Sequence, residues 1–352
     1  MKNQDNLLPL QKTLKSVAVI GPNADEQKEL ICRYGPSNAP IKTVYKGIKE
    51  ALPRAKVVYK KGCEIVDPHF PESEVLPFDI TPKEQQMMDE AIEAAKSAEV
   101  VIMVLGGSEV TVREERSRTS LDLPGRQEEL LKAVCKLGKP TILVMIDGRA
   151  SSINYAKKYV PAILHAWFPG EFCGQAVAET IFGDNNPGGR LAVTFPKSVG
   201  QIPFAFPFKP GSDSGCGTSV TGALFPFGHG LSYTTFEYSN LRISPEQQGV
   251  LGEVKVSCTV KNTGKRIGDE VVQLYLRDEI SSVTTYVKIL RGFERITLQP
   301  NEEKEVTFTL SPQDLAIWDK NMKFQVEPGT FKVMIGASSK DIKLEGKFTI
   351  NK

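Results

Sequence analysis

Hydrophobic and polar positions follow two different patterns along this chain. From about residue 15 to about residue 200, short apolar runs alternate with stretches whose apolar positions recur every three to four residues. The run VVIMVLGG at 100–107 begins with six consecutive apolar residues, as in a strand that is buried on both faces. The preceding stretch, 83–98, places Met88, Ile92 and Ala95 on one helical face. This alternation predicts an α/β fold with a mostly parallel sheet flanked by helices.

The same pattern predicts the order of the elements in this region. Strands are predicted at 17–20, 55–60, 100–107, 141–147, 162–168 and 190–195. Helices are predicted at 43–52, 83–98, 126–137 and 174–183. Ligands of open α/β sheets bind beyond the carboxyl ends of the strands, so a site is expected in the loops that follow these strands.

The pattern changes in the last third of the chain. Short alternating strands are separated by turns such as Asn262-Thr263-Gly264 and Pro328-Gly329, which predicts an all-β region, a β-sandwich of the immunoglobulin or fibronectin type III kind. The segment 201–237 is rich in Gly, Pro, Ser and Phe and is interpreted as a linker strap. The predicted domains are therefore an α/β domain at 15–200 and a sandwich at 238–352.

Composition and charge exclude several classes of function. A formal net charge of +2 gives no electrostatic argument for a nucleic acid or a membrane as partner. No run of eighteen apolar residues occurs, and the first residues lack the apolar core of an export signal. The six cysteines form no CxxC pair and the three histidines are far apart, so neither a metal site nor a cofactor is expected.

A polar loop of about twenty residues follows the buried strand at 100–107. A loop of this length inside a compact domain is usually functional or disordered. Its mixed charges are equally consistent with a solvated surface loop that holds internal ion pairs. The charged residues in and just beyond it are Glu109, Glu114, Glu115, Asp122, Glu128, Arg113, Arg116 and Arg118.

A second candidate position follows the predicted strand 162–168. Trp167 lies near the end of that strand and could offer an aromatic platform to a sugar ring, although burial as a core side chain is somewhat favoured. The glycine-containing turns at Gly21 and Gly106 match neither GxGxxG nor GxxxxGK, so they give little support to a nucleotide site.

Six segments in a fixed order resemble one known family over almost the whole chain. The chain is similar to the C-terminal part of glycoside hydrolase family 3, which contains β-glucosidases and β-xylosidases. The segments are NLLPL with SVAVIGPNAD, EERSRTSLDLPGRQEELLKAV, GKPTILVMIDGRA, AILHAWFPGEFCGQAVAETIFGDNNPGGRLAVTFPKSVGQIP, LFPFGHGLSYTTFEYSNL and LRGFERITLQPNEEKEVTFTL. The resemblance implies an α/β sandwich domain followed by a fibronectin type III-like domain.

The resemblance also implies a catalytic barrel that this chain lacks and that would supply the nucleophile, from the same parent chain or a separate subunit. Residues 1–14 then correspond to the linker after that barrel. In the family, the loop before the SRTSLDLPG-like segment carries the acid/base glutamate. Alignment on Ser117 places it at Glu114, with Glu115 as runner-up and Glu109 as a distant third. Arg118 and Trp167 would help to form the aglycone side of the site.

The function implied is hydrolysis of a β-linked glucoside or xyloside by a retaining mechanism without a cofactor. We expect the chain alone to have little or no glycosidase activity, and we expect a parent enzyme that is periplasmic or secreted. One alternative is a non-catalytic sugar-binding or scaffold relative. Another is a nucleotide-binding α/β domain with an adhesion-type sandwich, which the absence of a phosphate loop disfavours.

Overall fold

The computed structural model describes residues 2–27, 39–212 and 219–352. The chain divides into two compact units. The first unit comprises Met1–Asn185 with Pro196–Val199, and the second comprises Asn186–Phe195 with Gly200–Lys352. Four of the six cysteines, Cys63, Cys135, Cys173 and Cys258, are free thiols, whereas Cys32 and Cys216 lie outside the described residues.

The first unit contains a six-stranded sheet in the part of the chain that is described, with the strand order β1-β6-β5-β4-β2-β3. All neighbouring strands are parallel except β1, which pairs antiparallel with β6. The strands are β1 (Lys2–Asn3), β2 (Ser16–Ile20), β3 (Lys56–Lys60), β4 (Val100–Gly106), β5 (Thr141–Ile146) and β6 (Ala162–His165). The helices are α1 (Val44–Ala51), α2 (Pro82–Lys96), α3 (Gln127–Cys135), α4 (Asn154–Tyr159) and α5 (Cys173–Phe182).

The local sequence explains where these elements begin and end. Every residue of β4 is buried, as its continuous apolar run predicts for a central parallel strand. Helix α2 begins at a capping box in which the Thr81 and Glu84 side chains satisfy each other's backbone N–H groups, and Pro82 occupies its first turn. Helix α5 ends at Gly183, whose φ of 79° is a left-handed conformation that glycine adopts without strain.

Two predicted strands of this region differ from the structure. Strand β6 ends at His165 rather than at residue 168, because Trp167 has a φ of 56° and a left-handed residue cannot continue the ladder. The strand predicted at 190–195 is wrong. Phe195 makes only an isolated bridge with Phe225, and Leu191 bonds to the backbone of the 228–229 turn, so buried apolar positions recur there without a continuous ladder.

The second unit contains the predicted sandwich. Its described residues form a five-stranded sheet of order β11-β10-β15-β16-β8, a three-stranded sheet of order β12-β9-β7 and a two-stranded ribbon, β13-β14. Neighbouring strands are antiparallel except β8 and β16. The elements are β7 (Phe236–Ser244), β8 (Gln247–Gly249), β9 (Val254–Asn262), β10 (Gly268–Asp278), β11 (Ile289–Leu298), β12 (Glu303–Leu310), α6 (Pro312–Leu315), β13 (Ile317–Trp318), β14 (Phe324–Gln325), β15 (Gly329–Gly336) and β16 (Ile342–Asn351).

The two larger sheets of this unit share one hydrophobic core. Alternate residues of β9, among them Val256 and Val260, are buried with Leu274 of β10 and Val333 of β15. This period-two alternation is what the sequence predicts for strands with one face in a core and the other in solvent. The predicted fold class, α/β followed by all-β, is therefore confirmed. Among the described residues, no helix combines the length and the apolar character needed to cross a membrane.

Candidate active site at the carboxyl ends of strands β4 to β6

Three loops of the first unit converge beyond one edge of its sheet. The strands that precede them are neighbours in the parallel sheet, so their carboxyl ends lie side by side. At Gly148 an added Cβ would lie 2.6 Å from Cγ1 of Val112 and 2.7 Å from Cε2 of Phe168, so only glycine allows the three loops to pack this closely. The loops are residues 107–125 after β4, called the acid loop below, 147–153 after β5 and 166–172 after β6.

The first residues of the acid loop are held in one conformation. The Asn23 amide donates to the Gly107 carbonyl (2.9 Å). The backbone N–H of Ser108 donates to the Thr111 hydroxyl oxygen (2.9 Å), and the N–H of Thr111 donates back to the Ser108 carbonyl (3.0 Å). Both Ser108 and Thr111 are buried. Glu109 lies within this turn and is half-buried, so the entry to the loop is a rigid part of the unit.

The tip of the acid loop is a tight turn at residues 113–116. It is closed by the Arg116 N–H, which donates to the Arg113 carbonyl (3.2 Å). Glu115, at the third position, has a φ of 60°, as the third residue of a type II turn requires. Glu114, at the second position, needs no unusual backbone conformation. Both glutamate side chains are exposed, so the turn holds two adjacent carboxylates out from the sheet.

The base of the acid loop is anchored by a buried ion pair. The Arg118 guanidinium and the Glu74 carboxylate form this pair, with side chains only 4% and 7% exposed. The Glu74 carboxylate also accepts from the N–H and the hydroxyl of Thr119 (2.9 and 3.0 Å), and Arg118 donates to the Asp122 carbonyl (3.1 Å). Burial acts to raise the pKa of Glu74, but the Thr119 and Arg118 hydrogen bonds outweigh it and lower that pKa.

Two residues that the sequence interpretation missed, Asp147 and Arg149, support the acid loop from the turn after β5. The Arg149 side chain donates to the carbonyls of Thr111 (3.1 Å), before the turn that carries the glutamates, and of Arg116, the last residue of that turn. The buried Asp147 carboxylate accepts from the Arg149 N–H (3.2 Å) and from the Ser151 hydroxyl. Burial is the main cause that raises the pKa of Asp147. The available signal was their position, directly after the apolar run 142–146 of strand β5.

Trp167 occupies the third loop. It is 36% exposed and its left-handed backbone turns the chain away from strand β6. Its ring contacts that of His165 edge-on, with centroids 4.3 Å apart. Burial lowers the pKa of His165 to about 4, so this imidazole is neutral at physiological pH. The partly exposed indole therefore rests on a half-buried, uncharged ring. The core position that the sequence slightly favoured for Trp167 is not the one observed.

The structure thus places the four predicted site residues on two of these loops. Glu114 and Glu115 lie at the tip of the acid loop, Arg118 lies at its base, and Trp167 lies on the loop after β6. Arg118 is engaged with Glu74 and is almost inaccessible. Within residues 2–27, 39–212 and 219–352, no group of three or more His, Cys, Asp or Glu side chains could hold a metal ion. The chemistry that this arrangement offers is proton transfer by an exposed carboxyl group on an anchored turn.

Comparison with protein families gives two matches. Residues 1–233 match the glycosyl hydrolase family 3 C-terminal domain, and residues 270–339 match a fibronectin type III-like domain. The first match spans the α/β unit and the second lies in the sandwich.

Individual relatives extend the similarity. The chain is 44% identical to a β-xylosidase of Formosa agariphila over 97% of its length and 39% identical to a periplasmic β-glucosidase of Salmonella typhimurium over 99%. It spans 47% and 48% of those two proteins. Among solved structures, the β-glucosidase EmGH1 of Erythrobacter marinus has a TM-score of 0.90 at 35% identity, with 99% of this chain and 48% of that chain covered. The chain therefore spans about half the length of these relatives.

Proposed function

Because the chain belongs to glycosyl hydrolase family 3, we propose that it supplies the acid/base carboxyl group of a retaining β-glycosidase and that Glu114 is this group. The observation that carries the proposal is the turn at residues 113–116. This turn keeps the Glu114 side chain exposed beyond the carboxyl ends of β4 to β6. Arg149 and the Arg118–Glu74 pair fix the backbone on either side of Glu114. A proton donor must be held in this way to reach a glycosidic oxygen repeatedly in the same geometry.

The proposed reaction needs a second carboxylate from another domain. Retaining glycosidases place a nucleophile and an acid/base about 5–5.5 Å apart. In the first step Glu114 donates its proton to the leaving oxygen while the nucleophile bonds to the anomeric carbon. In the second step the Glu114 carboxylate takes a proton from water, which attacks that carbon and releases the nucleophile. We propose that a barrel domain carries the nucleophile, as the family resemblance implies.

A covering surface is also needed for Glu114 to act as an acid. General acids are kept protonated near neutral pH by removal from water or by a nearby carboxylate. Glu114 is exposed in this chain. Docking of the barrel over the acid loop would remove its side chain from water and bring the carboxylate of the nucleophile close to it. The proposed substrates are β-linked glucosides or xylosides, because two relatives, 44% and 39% identical to the chain, carry β-xylosidase and β-glucosidase names.

The two other predicted residues take different parts in the proposal. Trp167 presents a partly exposed ring next to the convergence of the three loops and would stack against the aglycone. Arg118 would act indirectly on that side, because its guanidinium holds the base of the acid loop. Glu115 is the runner-up for the acid. We prefer Glu114 because Glu115 occupies the turn position whose positive φ serves the shape of the turn.

The test is reconstitution with a barrel domain taken from a family 3 relative. We expect the chain alone to hydrolyse neither nitrophenyl β-glucoside nor nitrophenyl β-xyloside, and the mixture to hydrolyse at least one. Glu114→Gln should lower kcat of the mixture about 10²-fold or more, because it removes general acid–base catalysis. The adjacent Glu115→Gln is the matched control and should retain activity. Enzyme-like turnover by the chain alone would contradict the proposal, as would indifference to Glu114→Gln.

A further inference from the structure

The second unit contains a pair of exposed aromatic rings on a short ribbon. Trp318 of β13 and Phe324 of β14 are directly paired, so their side chains lie on the same face of the ribbon. Their ring centroids are 5.4 Å apart with planes tilted by 43°. Both rings are largely exposed, Trp318 at 59% and Phe324 at 50%. The two adjacent exposed rings form an apolar patch, and exposed apolar patches are often interaction sites.

The ribbon is held rigid by one carboxylate. Asp319 accepts hydrogen bonds from the N–H groups of Asn321 (2.8 Å) and Lys323 (2.9 Å) and from the Gln325 amide (3.0 Å). These bonds fix the turn between the two strands. The aromatic pair is therefore presented in a preset position, which lowers the entropy lost on binding a ligand.

The two rings border a pocket of about 590 Å³, called the aromatic pocket below. This volume lies within the range of about 300–1,000 Å³ that is typical of small-ligand sites. Its floor is apolar, since Leu276, Leu315 and Phe331 are all buried there, and the exposed ring of Tyr286 is part of its lining. The aromatic pocket therefore combines an apolar floor with aromatic side chains at its edge.

The wall of the aromatic pocket also contains polar groups, among them Arg291 and Asp278. Arg291 is the extra residue of a β-bulge, since Leu290 and Gly292 pair with consecutive residues of β10, and bulges commonly redirect a side chain toward a site. Its buried Nε has no hydrogen-bond partner within the described residues. Asp278, at the end of β10, adds a half-buried carboxyl whose pKa burial raises to about 6.

These features together select a class of ligand. The wall carries charges of both signs, which disfavours a strongly anionic or cationic ligand. Pyranose rings with equatorial hydroxyls, as in β-linked glucose and xylose, have flat C–H faces that pack on aromatic rings and a rim of hydroxyls that pairs with carboxylate and guanidinium groups. We propose that the aromatic pocket binds a β-linked gluco- or xylo-oligosaccharide, with Trp318 and Phe324 as the stacking platform and Asp278 and Arg291 as the hydroxyl partners.

This binding site is independent of the proposed hydrolysis. It lies wholly in the second unit, whereas Glu114 and Trp167 belong to the first. It needs no barrel and no bond cleavage, so it can be measured on the chain alone. A failure of binding here would leave the proposed acid/base role untouched, and a failure of hydrolysis would leave the binding site untouched.

Binding of an oligosaccharide to the aromatic pocket can be tested by tryptophan fluorescence. The chain has two tryptophans, so Trp167→Phe leaves Trp318 as the single indole emitter. Titration of this variant with cellotetraose and with xylotetraose should change its fluorescence in a saturable way with one of them, and calorimetry on the unaltered chain should give the same Kd. Trp318→Ala should weaken binding at least about tenfold, as expected for loss of a stacked ring. Trp318→Phe should recover part of the affinity.

A matched control is an exposed ring elsewhere in the same unit. Phe293 of β11 is exposed and does not line the aromatic pocket, so Phe293→Ala should bind like the unaltered chain. All substituted side chains are exposed, and unchanged thermal midpoints would show that the variants fold. The proposal is overturned if neither oligosaccharide binds at millimolar concentration, or if Trp318→Ala binds as well as Phe293→Ala.

Discussion

The charged side chains at the base of the acid loop are buried, whereas those at its tip are exposed. At the base, Arg118 and Glu74 are withdrawn from water and hold each other and their neighbours through several hydrogen bonds. At the tip, four and three residues before Arg118, Glu114 and Glu115 are exposed. A surface loop that served only solubility would need no buried ion pair, because such a pair is costly to desolvate. The contrast is what we expect of a loop that presents a carboxylate to a partner surface, as proposed above.

The largest expected effect comes from breaking the base. Arg118→Met should lower the free energy of unfolding by about 3–5 kcal/mol, because it leaves the Glu74 carboxylate buried without its counter-charge. Urea unfolding measures this. Lys12→Met is the control, since Lys12 pairs with Asp184 in the open and its loss should cost less than about 1 kcal/mol. Equal, small losses in both variants would show that the base does not anchor the loop.

The His165 ring, which the Trp167 indole contacts, should make the free energy of unfolding depend on pH. The pKa of His165 is lowered to about 4 in the fold from its ordinary 6.5. The unfolded chain therefore binds this proton more readily, so the stability that depends on neutral His165 is fully present above pH 6.5 and is lost as the pH falls towards 4. The full difference is roughly 3 kcal/mol.

The measurement is urea unfolding at pH 7.5 and pH 4.5, with His165→Gln as a reference that cannot titrate at this position. Other titrating groups cancel in the difference between the two proteins. We expect the unaltered chain to lose more stability on acidification than the variant does. Identical pH profiles would contradict the assignment of His165 as a half-buried, neutral ring beneath the indole.

A smaller effect should follow from loosening the tip alone. Arg149→Met removes the hydrogen bonds to the carbonyls of Thr111 and Arg116 but leaves its own backbone N–H in place for Asp147. In the chain alone, amide exchange at residues 111–116 should become faster. In the reconstituted mixture, kcat should fall about tenfold with little change in KM, because the acid is mispositioned rather than removed.

Arg149→Lys serves as the conservative comparison, since a lysine can donate to one of the two carbonyls. It should lie between the unaltered chain and Arg149→Met in both exchange and kcat. A general loss of thermal stability with unchanged local exchange would instead mean that Arg149 has only a structural role.

Sequence patterns predicted the secondary structure correctly where a single hydrophobic periodicity dominates a segment. The apolar run of β4 is continuous, which is typical of a strand buried on both faces. The apolar residues of β9 and β10 alternate, which is typical of strands with one face in a core. Both predictions were correct. The predicted strand at 190–195 failed, since its buried Leu191 and Phe195 pair with a loop instead of a sheet. A hydrophobic pattern reports burial but not the hydrogen-bond partner of the backbone.

The candidate site shows the same limit. The length and charge of the acid loop marked it as a candidate, and the family resemblance gave Glu114. The sequence could not show that Arg118 pairs with Glu74, 44 residues earlier, or that Arg149 reaches across to the loop, because both contacts join segments that only the fold brings together. The roles of Glu114, Arg118 and Trp167 in a reaction remain predictions.

The most direct test of the central claim is chemical rescue of the reconstituted mixture by azide. In Glu114→Ala, a substrate with a good leaving group still forms the glycosyl intermediate, but no carboxylate remains to activate water for its release. Azide needs no base, so it should attack the anomeric carbon, yield a β-glycosyl azide and restore part of a loss of about 10²-fold or more. Glu115→Ala should form no glycosyl azide. Rescue of Glu115→Ala in place of Glu114→Ala, or of neither, would contradict the assignment of Glu114 as the acid/base.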